Sequence, residues 1–112
     1  MKHLIYICLF AASSLGMSIP ESGVCVVEFN ASFNSANSVG WIDDLSDCKG
    51  RRVDIGAEPA MQAEHKIVVV PTVIVFNDGE EVERFQANIM MQLEATQKDV
   101  QEAVDEVIMS AF

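Results

Sequence analysis

Three cysteines, two histidines and a scatter of carboxylates are the groups in this chain that could carry chemistry. Cys8, Cys25 and Cys48 are widely separated, so no two form the closely spaced pair in which a thiolate of lowered pKa attacks a disulfide and a second sulfur resolves it. His65 and the separated cysteines also lack metal-ligand spacing, and no metal or other cofactor is expected. Glu28 stands alone among Val26, Val27 and Phe29. An ionised acid is rarely fully buried unless paired, so Glu28 is expected to be partly solvated and is given no catalytic role. Pro71 interrupts the apolar run at 67–76, IVVVPTVIVF, where a residue without an N–H costs a ladder hydrogen bond and needs a reason. Asn34 and Asn37 each offer one acceptor and two donors, which suit a helix cap or a held ligand but cannot exchange electrons.

The elements that must position these groups follow from periodicity. Residues 24–29 run apolar and β-branched around Glu28, as in a strand covered on both faces. Residues 30–38 read as a polar loop. Val39, Ile42 and Leu45 recur every three residues amid acids and predict a short helix ending near 48–50. A strand at 51–55 follows, then a helix from Glu58-Pro59 to about Lys66, with proline suited to its first turn. The run at 67–76 predicts a central strand, Asn77-Asp78-Gly79 a hairpin turn, and 80–86 an edge strand with one wet face. Thr96 with Asp99 makes a capping-box-like start for a helix whose apolar stripe is Val100, Ala103, Val104, Val107 and Ile108, its acids forming a solvated face. Residues 88–95, NIMMQLEA, fit no template. Met90, Met91, Ile89 and Leu93 are expected in the core, with an adaptable contact surface as the alternative, and Trp41 is expected to pack.

Size and charge bound the rest. A chain of 112 residues holds one domain, and half its residues are apolar, enough for a small core. A net charge of −10 repels phosphate backbones, so nucleic acid is excluded as a partner. Lys2, His3 and the apolar run at 4–12 read as an export signal over 1–18, which would leave a domain at 22–112 and a periplasmic or secreted protein; otherwise the protein is cytoplasmic. The alternative reading of 4–12 is an extra first element of the fold. Nine apolar residues are too few for a membrane span, which takes about 20. Asn30-Ala31-Ser32 matches the N-glycosylation triplet, but its place at a strand end argues against modification.

The order βαβαββα, with Val70-Pro71-Thr72 opening the third strand and Asn77-Asp78-Gly79 closing the hairpin after it, resembles the thioredoxin fold: an α/β protein with a four-stranded mixed sheet flanked by helices. The likeness covers about 24–108. It implies that Pro71 is cis and stands beside the active site. Thioredoxins resembling this chain carry Trp-Cys-x-x-Cys after the first strand, where this sequence has Phe33-Asn34-Ser35-Ala36-Asn37. The resemblance therefore implies the groove without the dithiol. In the family the residue before the proline, here Val70, pairs its backbone with an extended substrate. The matching rim is Phe33, Asn34, Asn37, Pro71 and the stretch from Gln86 through Ala87 to Asn88. Glu28 falls where the family places a buried carboxylate beneath the thiols.

The resulting expectation is a non-catalytic module that binds an extended peptide or partner protein through Phe33, Asn34, Asn37, Val70, Pro71 and Gln86. Two alternatives stand beside it: a thiol–disulfide oxidoreductase using Cys25 or Cys48, and a structural assembly module using the Met90 region. Cys25 and Cys48 are expected at one pole, away from the groove. A disulfide there needs Cα atoms within about 7 Å, which helix-on-sheet packing usually exceeds; otherwise they are two buried apolar thiols.

Overall fold

The computed structural model describes residues 18–112. All of the expected leader except Ser18, including Cys8, lies outside them. β1 (Val24–Asn30) and β3 (Thr72–Asn77) are the central strands of a four-stranded sheet flanked by β2 (Lys49–Asp54) and β4 (Glu80–Gln86), in the order β2-β1-β3-β4. β1 runs parallel to β2 and antiparallel to β3, which is antiparallel to β4. The sheet is mixed, as the resemblance implies.

Alternation along the central strands divides the core. Cys25, Val27, Phe29, Ile74 and Phe76 face one side, with Val53, Met61 and Ile67. Val26, Val73 and Val75 face the other, with Val39, Ile42, Leu45, Val100 and Val104. Helix α1 (Pro59–Glu64), with proline in its first turn, covers the first side. Helix α2 (Gln97–Ser110) covers the second, and its N-terminus carries a full capping box: Thr96 Oγ1 accepts from the Asp99 N–H, and an Asp99 carboxylate oxygen accepts from the Thr96 N–H. Both of its fully buried valines belong to the stripe at helical spacing. The hairpin turns on Asp78 and Gly79, at φ 53° and 86°, the two positive values that a tight two-residue connection requires.

Three expectations need correction. The chain between β1 and β2 forms no α-helix but two 3₁₀ segments, Ser32–Asn37 and Ile42–Asp44. Val39, Ile42 and Leu45 are all buried, but only Ile42 lies in a 3₁₀ segment; the polar, small residues around them favour caps and turns over an α-helix. The apolar run at 67–76 does not form one strand, because pairing begins at Thr72, after the residue that has no N–H to give. β2 begins at Lys49, two residues before the expected start, and ends at Asp54. Among the described residues no helix is long and apolar enough to cross a membrane.

Candidate functional site

Sheet register gathers distant residues at one pole. Phe29 near the end of β1 lies opposite Thr72 at the start of β3, and Thr72 lies opposite Gln86 at the end of β4. The turn after β1, the Val70–Pro71 step and the segment after β4 therefore meet. The Val70–Pro71 peptide is cis. The Pro71 carbonyl accepts from the Ala87 N–H at 3.1 Å, and Thr72 Oγ1 donates to the Val69 carbonyl at 2.7 Å.

Asn34 sits at the centre of this pole, only 4% exposed. Its two Nδ2 hydrogens are shared among three oxygens: Asn30 Oδ1 at 3.2 Å, the Met91 carbonyl at 3.2 Å and the Val70 carbonyl at 3.4 Å. Its Oδ1 accepts from Asn37 Nδ2 at 2.9 Å, and its carbonyl accepts from Asn30 Nδ2 at 3.2 Å. Asn34 is an interior tie, not an accessible rim residue, and Asn37 is half-buried behind it. The same network occupies the Asn30 amide, so glycosylation of Asn30 is incompatible with this fold.

Beside Val70 opens a cleft of about 400 Å³ whose lining includes Phe33, Val68, Val70, Asn88, Ile89 and Met91. Phe33 is 77% exposed, Val68 78% and Ile89 98%. Single exposed apolar residues are ordinary, whereas several around one concavity mark an interaction site. The expectation that 89–91 is core is thus overturned: Ile89, Met90 and Met91 are exposed, and of this group Leu93 alone packs against the α2-side core. The physical reason is the tight loop that carries them. Asn88 Oδ1 accepts from the N–H groups of Met90 and Gln92, and the Asn88 carbonyl accepts from the Met91 N–H, which turns these side chains outward. Among the described residues no acceptor takes the Val70 N–H. Val70 is buried and lines the cleft; Pro71 is buried next to it in the chain, and of the residues expected at the groove Pro71, Asn34, Asn37 and Gln86 do not line it. Of the residues expected at the groove, Phe33 and Val70 line this cleft; Ile89 lines it too, in keeping with the alternative of a contact surface at 89–93, and Val68, expected within a strand, lines it because pairing begins only at Thr72.

Glu28 departs from its expectation too. It is 1% exposed and fully partnered. Arg52, its register neighbour on β2, places Nε 3.3 Å from Oε1. The Val39 N–H donates to Oε2 at 2.7 Å, and the Ser38 hydroxyl lies within 3.0 and 3.1 Å of the two carboxylate oxygens. Arg52 further donates to the Val39 carbonyl and pairs with Asp43. The parallel strand provides the cation, so burial needs no water. This cluster braces the 3₁₀ connection against the sheet.

Cys25 and Cys48 are free thiols. Cys25 is opposite Lys49, so Cys48 is one residue out of register, and the two pack with opposite cores. Side chains of opposite faces do not bridge. Burial pushes both thiols above their ordinary pKa; Arg51 and Lys49 partly oppose this at Cys25, whereas neighbouring Cys25, Asp47 and Asp105 add to it at Cys48. Both shifts run opposite to the lowering that activates a thiol. His65 packs between the rings of Phe29 and Phe76, its buried Nε2 without a hydrogen-bond partner among the described residues and 3.9 Å from Glu64. Among the described residues no cluster of three or more His, Cys, Asp or Glu side chains could hold a metal ion.

No protein-family model matches the sequence and no curated protein is significantly similar to it. Solved structures are similar in shape. A mutant thioredoxin of Halobacterium salinarum superposes with a TM-score of 0.62 at 18% identity, over 76% of this chain and 74% of that one. Schistosoma mansoni thioredoxin gives 0.61 at 20% identity, over 77% and 78%, and Fasciola hepatica thioredoxin 0.55 at 19%, over 77% and 83%. With the mixed sheet order and its flanking helices, these likenesses establish that the chain has a thioredoxin-like fold.

Proposed function

We propose that this protein is a non-catalytic peptide- or protein-binding module whose partner lies as an extended segment in the cleft beside Val70 and Pro71. The observation that carries this reading is the set of exposed apolar side chains, Phe33, Val68 and Ile89, around a backbone N–H at Val70 that has no acceptor among the described residues. A backbone N–H without a partner supplies main-chain pairing and the apolar walls supply side-chain pockets, as in recognition of an extended peptide. The net charge of −10 favours a partner that is apolar at alternate positions and basic between them. Asn34 and Asn37 stand where the resemblance places the dithiol, and amides carry no electrons. Titration of the protein with a blocked peptide of alternating valine and lysine should shift the amide resonances of Val70 and Thr72. Unchanged resonances at saturating peptide would discard the reading.

Thiol–disulfide exchange through Cys25 or Cys48 has the geometry against it. Cys25 pairs with Phe76, at the far end of β3 from Thr72, roughly 13 Å along the strand from the Phe29–Thr72 step. Absence of insulin-disulfide reduction by the protein is the expected result. Exposure of Ile89 and Met90 favours a second reading, assembly with another subunit through this loop. Sedimentation that is independent of concentration would exclude self-assembly.

A further inference from the structure

We infer that Asn34 is a positioning residue whose side-chain amide clamps the two walls of the cleft, Val70 on one side and the Met91 loop on the other, so that the groove is formed before a partner arrives. The consequence for binding rests on the peptide-groove reading above; the clamp itself rests on hydrogen bonds.

The amide joins parts of the chain that are otherwise remote: the turn after β1 at 34, the strand approach at 70 and the loop at 91. Among the described residues, Asn34 Nδ2 to the Met91 carbonyl is the one hydrogen bond from loop 88–92 to a distant part of the chain. That loop needs an anchor. Met91 has φ 58°, a left-handed conformation that costs a residue with a β-carbon free energy and persists where its surroundings over-determine it. Asn88 fixes the loop internally through Met90, Met91 and Gln92, and Asn34 fixes it externally. The acceptor side of the amide is held by Asn37 at 2.9 Å, which orients Nδ2 toward the carbonyls. No other uncharged side chain of this size offers donors and an acceptor together. An aspartate would keep the acceptor and turn a bare oxygen toward three oxygens. A thiol would lose the span. A fixed wall spacing raises affinity by removing the ordering that a loose groove undergoes on binding.

The test compares Asn34→Asp and Asn34→Ala with Val104→Ala, a buried change in α2 remote from the cleft that lowers overall stability without touching the clamp. In both Asn34 variants, amide hydrogen exchange at Met90 and Gln92 should accelerate relative to Val100. The Met91 coupling constant that reports positive φ should move toward a flexible average. Affinity for the valine–lysine peptide should fall about tenfold, as expected when the competent groove is populated about a tenth of the time, whereas Val104→Ala keeps wild-type affinity. Unaltered exchange and coupling in both Asn34 variants overturns the clamp even if peptide binds. Altered exchange and coupling in a protein that never binds peptide keeps the clamp and overturns the peptide reading instead. Equal loss of affinity in Val104→Ala overturns the positioning role.

Discussion

Glu28 in β1 and Asn34 in the turn after it are both buried polar side chains, and each draws partners from distant parts of the chain. Glu28 carries charge, and a buried charge must be matched. It is therefore tied to Arg52 on the edge strand and to the Ser38 and Val39 step, on the side of the pole away from the apolar cleft. Asn34 is neutral and serves as donor and acceptor at once. It reaches two main-chain carbonyls at the cleft without demanding a counter-ion. The contrast teaches why an amide suits a tie behind an apolar cleft: it fixes geometry without placing a charge there.

The comparison can be broken by removing one group at a time. The largest loss is expected from Arg52→Ala, which strands a carboxylate that is 1% exposed; breaking a buried pair costs about 3–5 kcal/mol, and the partial exposure of Arg52 places this pair at the low end. Urea denaturation measures it, and a loss below that of Asn34→Ala would reverse the ranking. Asn34→Ala leaves two carbonyls without their donor and should cost about 1–3 kcal/mol. Thr96→Ala removes an exposed local cap of α2, expected at about 1 kcal/mol, and calibrates what a hydrogen bond outside the core is worth here. Ile89→Asp should move stability by less than about 0.5 kcal/mol, because the side chain is 98% exposed, while abolishing peptide binding. A variant that keeps its affinity would remove loop 88–92 from the site.

The smallest effect is one of pH. Burial raises the thiol pKa of Cys25 and Cys48 above the ordinary 9.0. The folded protein then holds protons that the unfolded chain has released. The stabilisation is complete below the ordinary thiol value and declines as pH rises from there through the folded values. Denaturation midpoints measured upward from pH 8 should fall, and replacing both cysteines by alanine should flatten that slope. An unchanged slope would place its origin elsewhere.

Local pattern was legible wherever one segment contained its own instructions. The capping box of Thr96 and Asp99, the valine stripe of α2 and the positive-φ turn at Asp78-Gly79 each depend on residues a few positions apart. The thioredoxin-like order was legible because those local elements, with the Val70-Pro71-Thr72 step, leave few ways to arrange one sheet. The connection was half-visible: the spacing of Val39, Ile42 and Leu45 marked three buried side chains, but so short a run does not separate an α-helix from turns and single 3₁₀ turns.

By itself the sequence determined the order of the strands, the capped helix α2 and the absence of two closely spaced cysteines, since residue type and period act within a few positions. Only the tertiary structure decided that Glu28 would find Arg52, that residues 89–91 would face outward, and that Asn34 would meet Val70 and Met91. Those outcomes depend on register across strands, and no spacing along a chain encodes which side chains the sheet will bring together.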